Sequence, residues 1–219
     1  MKYQPDIGIV TAKFNFILQG LGMSLMIAVA SMFFAVVIGI FVALLRMSPI
    51  KPLSWLAGAY VQFFRGIPQF VFLLWLYYGI ALLFGINFAP LTAGIIALSV
   101  QYGAYLSEIF RSGIDSVGRG QIEAGHSVGL SQFRIYYNIV APQAFRIALP
   151  PTVNIWISIL KDTSLVSVIG VSELMRVTEI QSNFTFRPFE FYTTAALIYV
   201  VLTLFFARIA ASLEKRLHY

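Results

Sequence analysis

Between Lys13 and Arg46 the chain has no charged side chain, and it has none again from Gly66 to Ser107. About 20 mostly apolar helical residues cross a hydrocarbon core about 30 Å thick. The first run therefore suffices for one membrane span, and the second is too long for one. With 59% hydrophobic and 11% charged residues and a mean hydropathy of +0.82, the sequence lies outside the soluble globular class, in which about 25% of residues are charged. These features predict an all-α integral membrane protein. The first run also exceeds the apolar core of a secretory signal, about 7–15 residues, so the first helix is expected to be retained.

Local breakers divide the sequence into five expected transmembrane helices forming one domain, at about 14–45, 53–84, 91–110, 147–171 and 191–211. Arg46, Pro49 and Pro52 end the first, and Gly85-Ile86-Asn87 with Pro90 separates the second from the third. Lys161-Asp162-Thr163-Ser164 interrupts the fourth. Residues 172–188 are polar enough for a loop with a short helix.

Basic residues orient the spans. Arg46, Lys51, Arg111, Arg119, Arg134, Arg146, Arg208, Lys215 and Arg216 fall on one side. Lys2, Lys13, Arg176 and Arg187 fall on the other, and Arg65 and Lys161 lie inside spans, so the count is nine against four. The richer side is expected to be cytoplasmic, which places the polar loop at about 112–142 and the C-terminus inside and the N-terminus outside. The formal charge of +6 serves this asymmetry. Aromatic residues sit in apolar runs and not along a basic stripe, so no nucleic-acid partner is expected.

The loop at 112–142 is a polar island in an otherwise apolar sequence and carries Asp115, Arg119, Glu123 and Arg134. Gly120 and Gly129 bracket a helix of about two turns. Ser131 is placed to cap a second helix, and Pro142 is expected to stop it, because an interior proline breaks the hydrogen-bond ladder. Two short helices hinged at a glycine make a compact knob. Glu123 offers a fixed charge to a basic partner, and the small pair Ala124 and Gly125 lets another backbone approach closely.

The spacing of Glu123, Ala124, Gly125, Gly129, Ile139 and Pro142 resembles the E-A-A-x-x-x-G-x9-I-x-L-P loop of ABC importer permeases. Gly125 stands where that family usually has Ala, and Ala141 where it usually has Leu. Phe64-Arg65-Gly66-Ile67-Pro68, Ala104 to Arg111 and Lys161-Asp162-Thr163-Ser164-Leu165 are similar to the polar amino-acid branch of the same family. The resemblance implies the type I ABC importer fold, in the bacterial cytoplasmic (inner) membrane. It also implies a cytoplasmic ATPase dimer docked on Glu123, Ala124, Gly125 and Gly129, and a second permease subunit, identical or homologous. An extracytoplasmic amino-acid-binding protein would deliver a polar or charged L-amino acid. No cofactor is expected in this chain, since ATP and Mg would be bound by the partner ATPase.

Charges inside a membrane cost about 2.5–3.5 kcal/mol each on insertion scales, so they face cavities or pair with one another. Gly66 and Pro68 are expected to unwind the second span, and the Asp162-Thr163-Ser164 run the fourth. Broken helices expose free N–H and C=O groups, which suit a zwitterion. The expected substrate pocket comprises Gly66, Ile67, Gln101, Tyr105, Asp162 and Ser164. Asp162 would receive the α-amino group, and backbone near 66–67 or 163–164 the carboxylate. Lys161, Glu108 and Arg65 are the other candidates for pairing.

Other chemistry is thin. His126 and His218 are too few for a metal cluster, and no G-x-x-x-x-G-K-[ST] phosphate loop occurs, so the chain is not expected to be an enzyme. The absence of cysteine removes thiolate chemistry. Gly20, Gly22 and Gly39 fit helix packing better than chemistry. The competing reading is a proton-coupled secondary transporter of a small polar solute using Glu108 and Asp162, although no self-similar halves are visible. A membrane-embedded hydrolase lacks a base near Ser158 or Ser164.

Overall fold

The structure is a computed structural model that describes residue 4 and residues 6–217. Lys2, used in the charge count, and His218 lie outside the described residues. All regular structure among the described residues is helical. After a single turn at Gly8–Ala12, the chain forms α1 (Phe14–Arg46), α2 (Lys51–Gly66), α3 (Gln69–Phe84) and α4 (Pro90–Asp115). There follow α5 (Arg119–Ser127), α6 (Gln132–Ile169), α7 (Leu174–Thr185) and α8 (Pro188–Leu217).

Length and apolar composition mark α1, α6 and α8 as able to cross a membrane, and a fourth span is present if α2 and α3 count as one. Those two helices meet at a 105° bend. The cause is local. Gly66 ends α2 without a side chain, and Pro68, extended at φ −60° and ψ 133°, cannot supply the N–H that would continue the ladder. α4 has 26 residues, enough to cross, but it carries Gln101, Glu108, Arg111 and Asp115. Gly85, at φ 66°, closes α3 in the left-handed region that glycine tolerates.

Pro142 does not stop the helix as expected. α6 passes through a π-helical turn at Tyr136–Val140 and runs on over Ala141–Asp162, with Pro150 and Pro151 also inside it. A π-turn carries one extra residue and hydrogen-bonds from i to i+5. The missing N–H of Pro142 falls at the seam between that wider turn and the α-helix that follows, where the ladder is already shifted. At the far end, Thr163–Ile169 tightens to a 3₁₀ helix and stops at Gly170, φ 92°. The fourth span therefore changes helix type after Asp162.

Two compact units emerge from the packing. The first gathers the chain up to Phe33 with Ile67–Ser99 and Trp156–Phe206, and the second holds Phe34–Gly66, Val100–Ile155 and the chain from Ala207. In the first unit Ile17, Leu174 and Phe191 form a buried cluster with Val10. The opening turns of α3, Gln69–Leu74, pack on the 3₁₀ segment of α6. In the second unit Val42, Ala57 and Val61 join α1 to α2. α1 also crosses α4 closely. A Cβ on Gly39 would stand 2.8 Å from Cβ of Leu106, and one on Gly103 2.6 Å from Cγ2 of Ile38, the small-residue contact that lets membrane helices approach. Gly20 likewise abuts Leu174, whereas a Cβ on Gly22 would meet nothing within 4 Å among the described residues.

Candidate functional site

The polar loop folds into a packed knob. Val117, Ile135, Val140 and Ala144 form its buried centre, with Ile114, Ile122, Leu130 and Ile139 around them. The nine residues of α5 end in a Schellman arrangement. The Leu130 N–H donates to the Gly125 carbonyl at 3.0 Å and the Gly129 N–H to that of His126 at 2.9 Å, with Gly129 at φ 76°. The hinge glycine is thus needed for its backbone angle. Ser131 occupies the N-cap position of α6 without a side-chain bond.

The small pair divides its duties. Gly125 is buried and faces its own chain, where a Cβ would meet Cγ1 of Ile135 at 2.8 Å and Cδ1 of Ile139 at 3.2 Å. Glu123, Ala124 and His126 are exposed, as is Val128 at 74%. On α6 Phe133 and Tyr137 stack with centroids 6.0 Å apart and planes at 10°, although both are largely exposed. Val128, Phe133 and Tyr137 thus add exposed apolar surface to a polar loop.

At the break after α2, Glu108 on α4 gathers three guanidinium groups. Arg111 pairs with it at 2.8 Å, Arg65 stands at 3.9 Å, and Arg46 hydrogen-bonds its other oxygen. Arg111 also bridges to Asp115 at 2.7 Å. The Arg65 guanidinium lies 5.4 Å over the ring of Tyr105, whose hydroxyl donates to the Arg65 carbonyl at 3.5 Å. Three arginines from three helices around one carboxylate tie the ends of α1, α2 and α4 together inside the second unit.

Of the expected pocket residues, Gly66, Gln101 and Tyr105 belong to the second unit, and Ile67, Asp162 and Ser164 to the first. Gly66 is exposed at the bend and Gln101 is buried. Asp162 is half-buried at the α-to-3₁₀ junction, and the Ser164 hydroxyl donates to the Lys161 carbonyl at 2.8 Å. An apolar cavity of about 440 Å³ in the second unit, lined by Val36, Phe110, Ala144 and Phe145 among others, contains none of these six residues. Its walls suit hydrocarbon and not a zwitterion.

One buried network escaped the sequence reading. Glu173, fully buried at the N-cap of α7, accepts from the Arg176 N–H at 2.8 Å, the Ser24 hydroxyl at 3.1 Å and the Tyr199 hydroxyl at 3.3 Å. Ser24 in turn accepts from the Leu174 N–H at 3.1 Å. Burial pushes the Glu173 carboxyl above its ordinary value, against the opposing pull of these donors. The available signal was Ser24, a polar residue in an apolar span.

The family described as binding-protein-dependent transport system inner membrane component matches residues 35–219. The chain is 38% identical over 212 residues to the probable amino-acid permease protein YxeN of Bacillus subtilis (strain 168), covering 96% of this chain and 95% of that protein. It is 40% identical over 204 residues to the probable amino-acid ABC transporter permease protein YckA of the same organism, covering 93% and 90%. A crystal structure of an amino acid ABC transporter with histidines superposes with a TM-score of 0.92 at 36% identity, over 98% of this chain and 100% of that one. The architecture is accordingly the type I ABC importer permease fold, with the chemistry of ATP hydrolysis belonging to another subunit. The chain belongs to the family of inner-membrane components of binding-protein-dependent transport systems.

Proposed function

We propose that this chain is the permease subunit of an ATP-driven importer carrying a polar or charged L-amino acid into the cytoplasm. The relatives described by name as amino-acid permeases support the cargo class. The observation that carries the coupling role is the knob, a buried apolar centre under an exposed Glu123-Ala124 face ended by Gly129. A rigid knob transmits a push that a flexible loop would dissipate. A cytoplasmic ATPase dimer, which would bind the ATP and Mg, docks there through Glu123, Ala124 and Gly129, with Gly125 holding the knob in shape.

The chain crosses the membrane five times, as its local breakers divide it, and the asymmetry of basic residues supports an N-terminus outside and a C-terminus and knob in the cytoplasm. Five helices are too few to enclose a pathway, so a second permease subunit, identical or homologous, completes it. α8 suits that role or lipid contact, because only 6% of its most apolar stretch is buried within the chain. In the first unit Asp162 takes the substrate's α-amino group, and the unwound backbone near 163–164 takes its carboxylate. An extracytoplasmic amino-acid-binding protein supplies the substrate.

Purification of the tagged chain from its host in mild detergent, beside a Glu123→Arg variant, tests the coupling role. A stoichiometric ATPase present with the native chain and lost with the variant is the expected result. An equal amount of ATPase with both would overturn the role of Glu123, and a lone chain in both samples would overturn the importer reading.

A further inference from the structure

We infer that Gln69 reads the substrate side chain and selects neutral, hydrogen-bonding side chains over apolar ones of the same size. The inference rests on the pocket reading of residues 162–164 given above. Gln69 opens α3 directly after the bend, and its side-chain oxygen and nitrogen are both buried without a partner among the described residues. In a bilayer each buried polar group needs a partner from the protein or from what the protein binds.

Ser31 and Trp156 also have a buried polar atom without a partner among the described residues, but they make weaker cases. A serine hydroxyl can rotate to a carbonyl of its own helical turn. The Trp156 ring, packed edge-on against Phe206 at 5.5 Å, leaves one donor only. The Gln69 amide leaves two donors and an acceptor at one point.

Location adds the second argument. The turns that Gln69 begins, Gln69–Leu74, pack on the 3₁₀ segment Thr163–Ile169, in the same compact unit. That segment follows Asp162, assigned to the substrate's α-amino group, and contains the 163–164 backbone assigned to its carboxylate. A side chain extending from an amino acid held there has α3 as its neighbour. A neutral amide best matches a group that both donates and accepts, a carboxamide first and a hydroxyl second. A charged side chain would remain half-paired in a medium of low dielectric, and a thioether or alkyl chain would leave the amide orphaned.

The test is equilibrium binding of labelled L-glutamine, L-methionine and L-arginine to the purified permease–ATPase complex. The wild type, Gln69→Leu, Gln69→Glu and Asp162→Asn are compared. The wild type is expected to prefer L-glutamine over L-methionine. Gln69→Leu, close in volume and free of the orphaned amide, should cut that preference about tenfold or more without weakening L-methionine. Gln69→Glu should move the preference toward L-arginine. Asp162→Asn should weaken all three ligands alike. An unchanged glutamine-to-methionine ratio in Gln69→Leu, an equal loss of all three ligands in it, or a wild type without the preference overturns the assignment. If Asp162→Asn binds all three as the wild type does while Gln69→Leu shifts the ratio, the pocket role of Asp162 fails and that of Gln69 stands.

Discussion

Gly125 lies so close to Ile135 that a Cβ at position 125 would come within 2.8 Å of Cγ1 of that isoleucine. The space that a Cβ at position 125 would take is filled from the opposite side by the fully buried Ile135. Gly125→Ala gains up to about 1 kcal/mol of helix propensity and loses about 1–3 kcal/mol to overpacking. Thermal unfolding of the purified complex should show net destabilisation. The double variant Gly125→Ala with Ile135→Val should recover most of the loss. A Gly125→Ala chain whose stability does not change when Ile135→Val is added would refute the close contact.

Gly129 is required for a different reason. At φ 76° an L side chain is strained, by roughly 1–2 kcal/mol for an ordinary residue. Gly129→Ala should loosen the Schellman end of α5 more than Gly129→Asn, since asparagine tolerates the left-handed region. Co-purified ATPase should fall in that order: native, Asn, Ala. A reversed order would show that the backbone angle is not what the knob depends on.

The sequence revealed those parts of the structure whose causes are local. The bend at Gly66 to Pro68, the turn at Gly85 and the hinge at Gly129 each depend on one or two residues with restricted or unusual backbone angles. Pro142 misled because the π-turn before it is set by hydrogen bonds four and five residues apart, which no single residue announces. Glu173 escaped because its partners Ser24 and Tyr199 come from two other helices, far away in sequence. The same distance explains the charges near α4. Glu108 was legible as a charge needing a partner, but its convergence with Arg46 and Arg65 appears only after folding.

That convergence predicts an order of effects. Arg65 is 43% exposed and 3.9 Å from Glu108, and pairs of this kind contribute about 0–1 kcal/mol. Arg65→Ala should therefore shift the melting temperature little. Glu108→Ala leaves the partly buried Arg46 and Arg111 without their shared carboxylate, and should cost about 2–4 kcal/mol. Adding salt should narrow the gap between the two variants. Equal costs for both would show that Glu108 is not the hub.

Glu173 supplies the pH prediction. Its carboxyl titrates above the ordinary value when folded because burial opposes the charged form, so in this range the native state holds more protons than the unfolded state. By linkage, stability then falls as pH rises from the ordinary carboxylate value, about 4.3, through the raised folded value, and is greatest below that window. Glu173→Gln keeps an acceptor for the Arg176 N–H and has no charge to lose, so it should flatten this part of the curve. Ser24→Ala removes one donor to the carboxylate and the acceptor for the Leu174 N–H. It should cost about 1–3 kcal/mol, with the greater loss at the alkaline end, where the carboxylate is ionised. Melting temperatures from pH 4 to 9 for the three proteins check both statements. A Glu173→Gln curve parallel to that of the native chain would remove Glu173 as the titrating group.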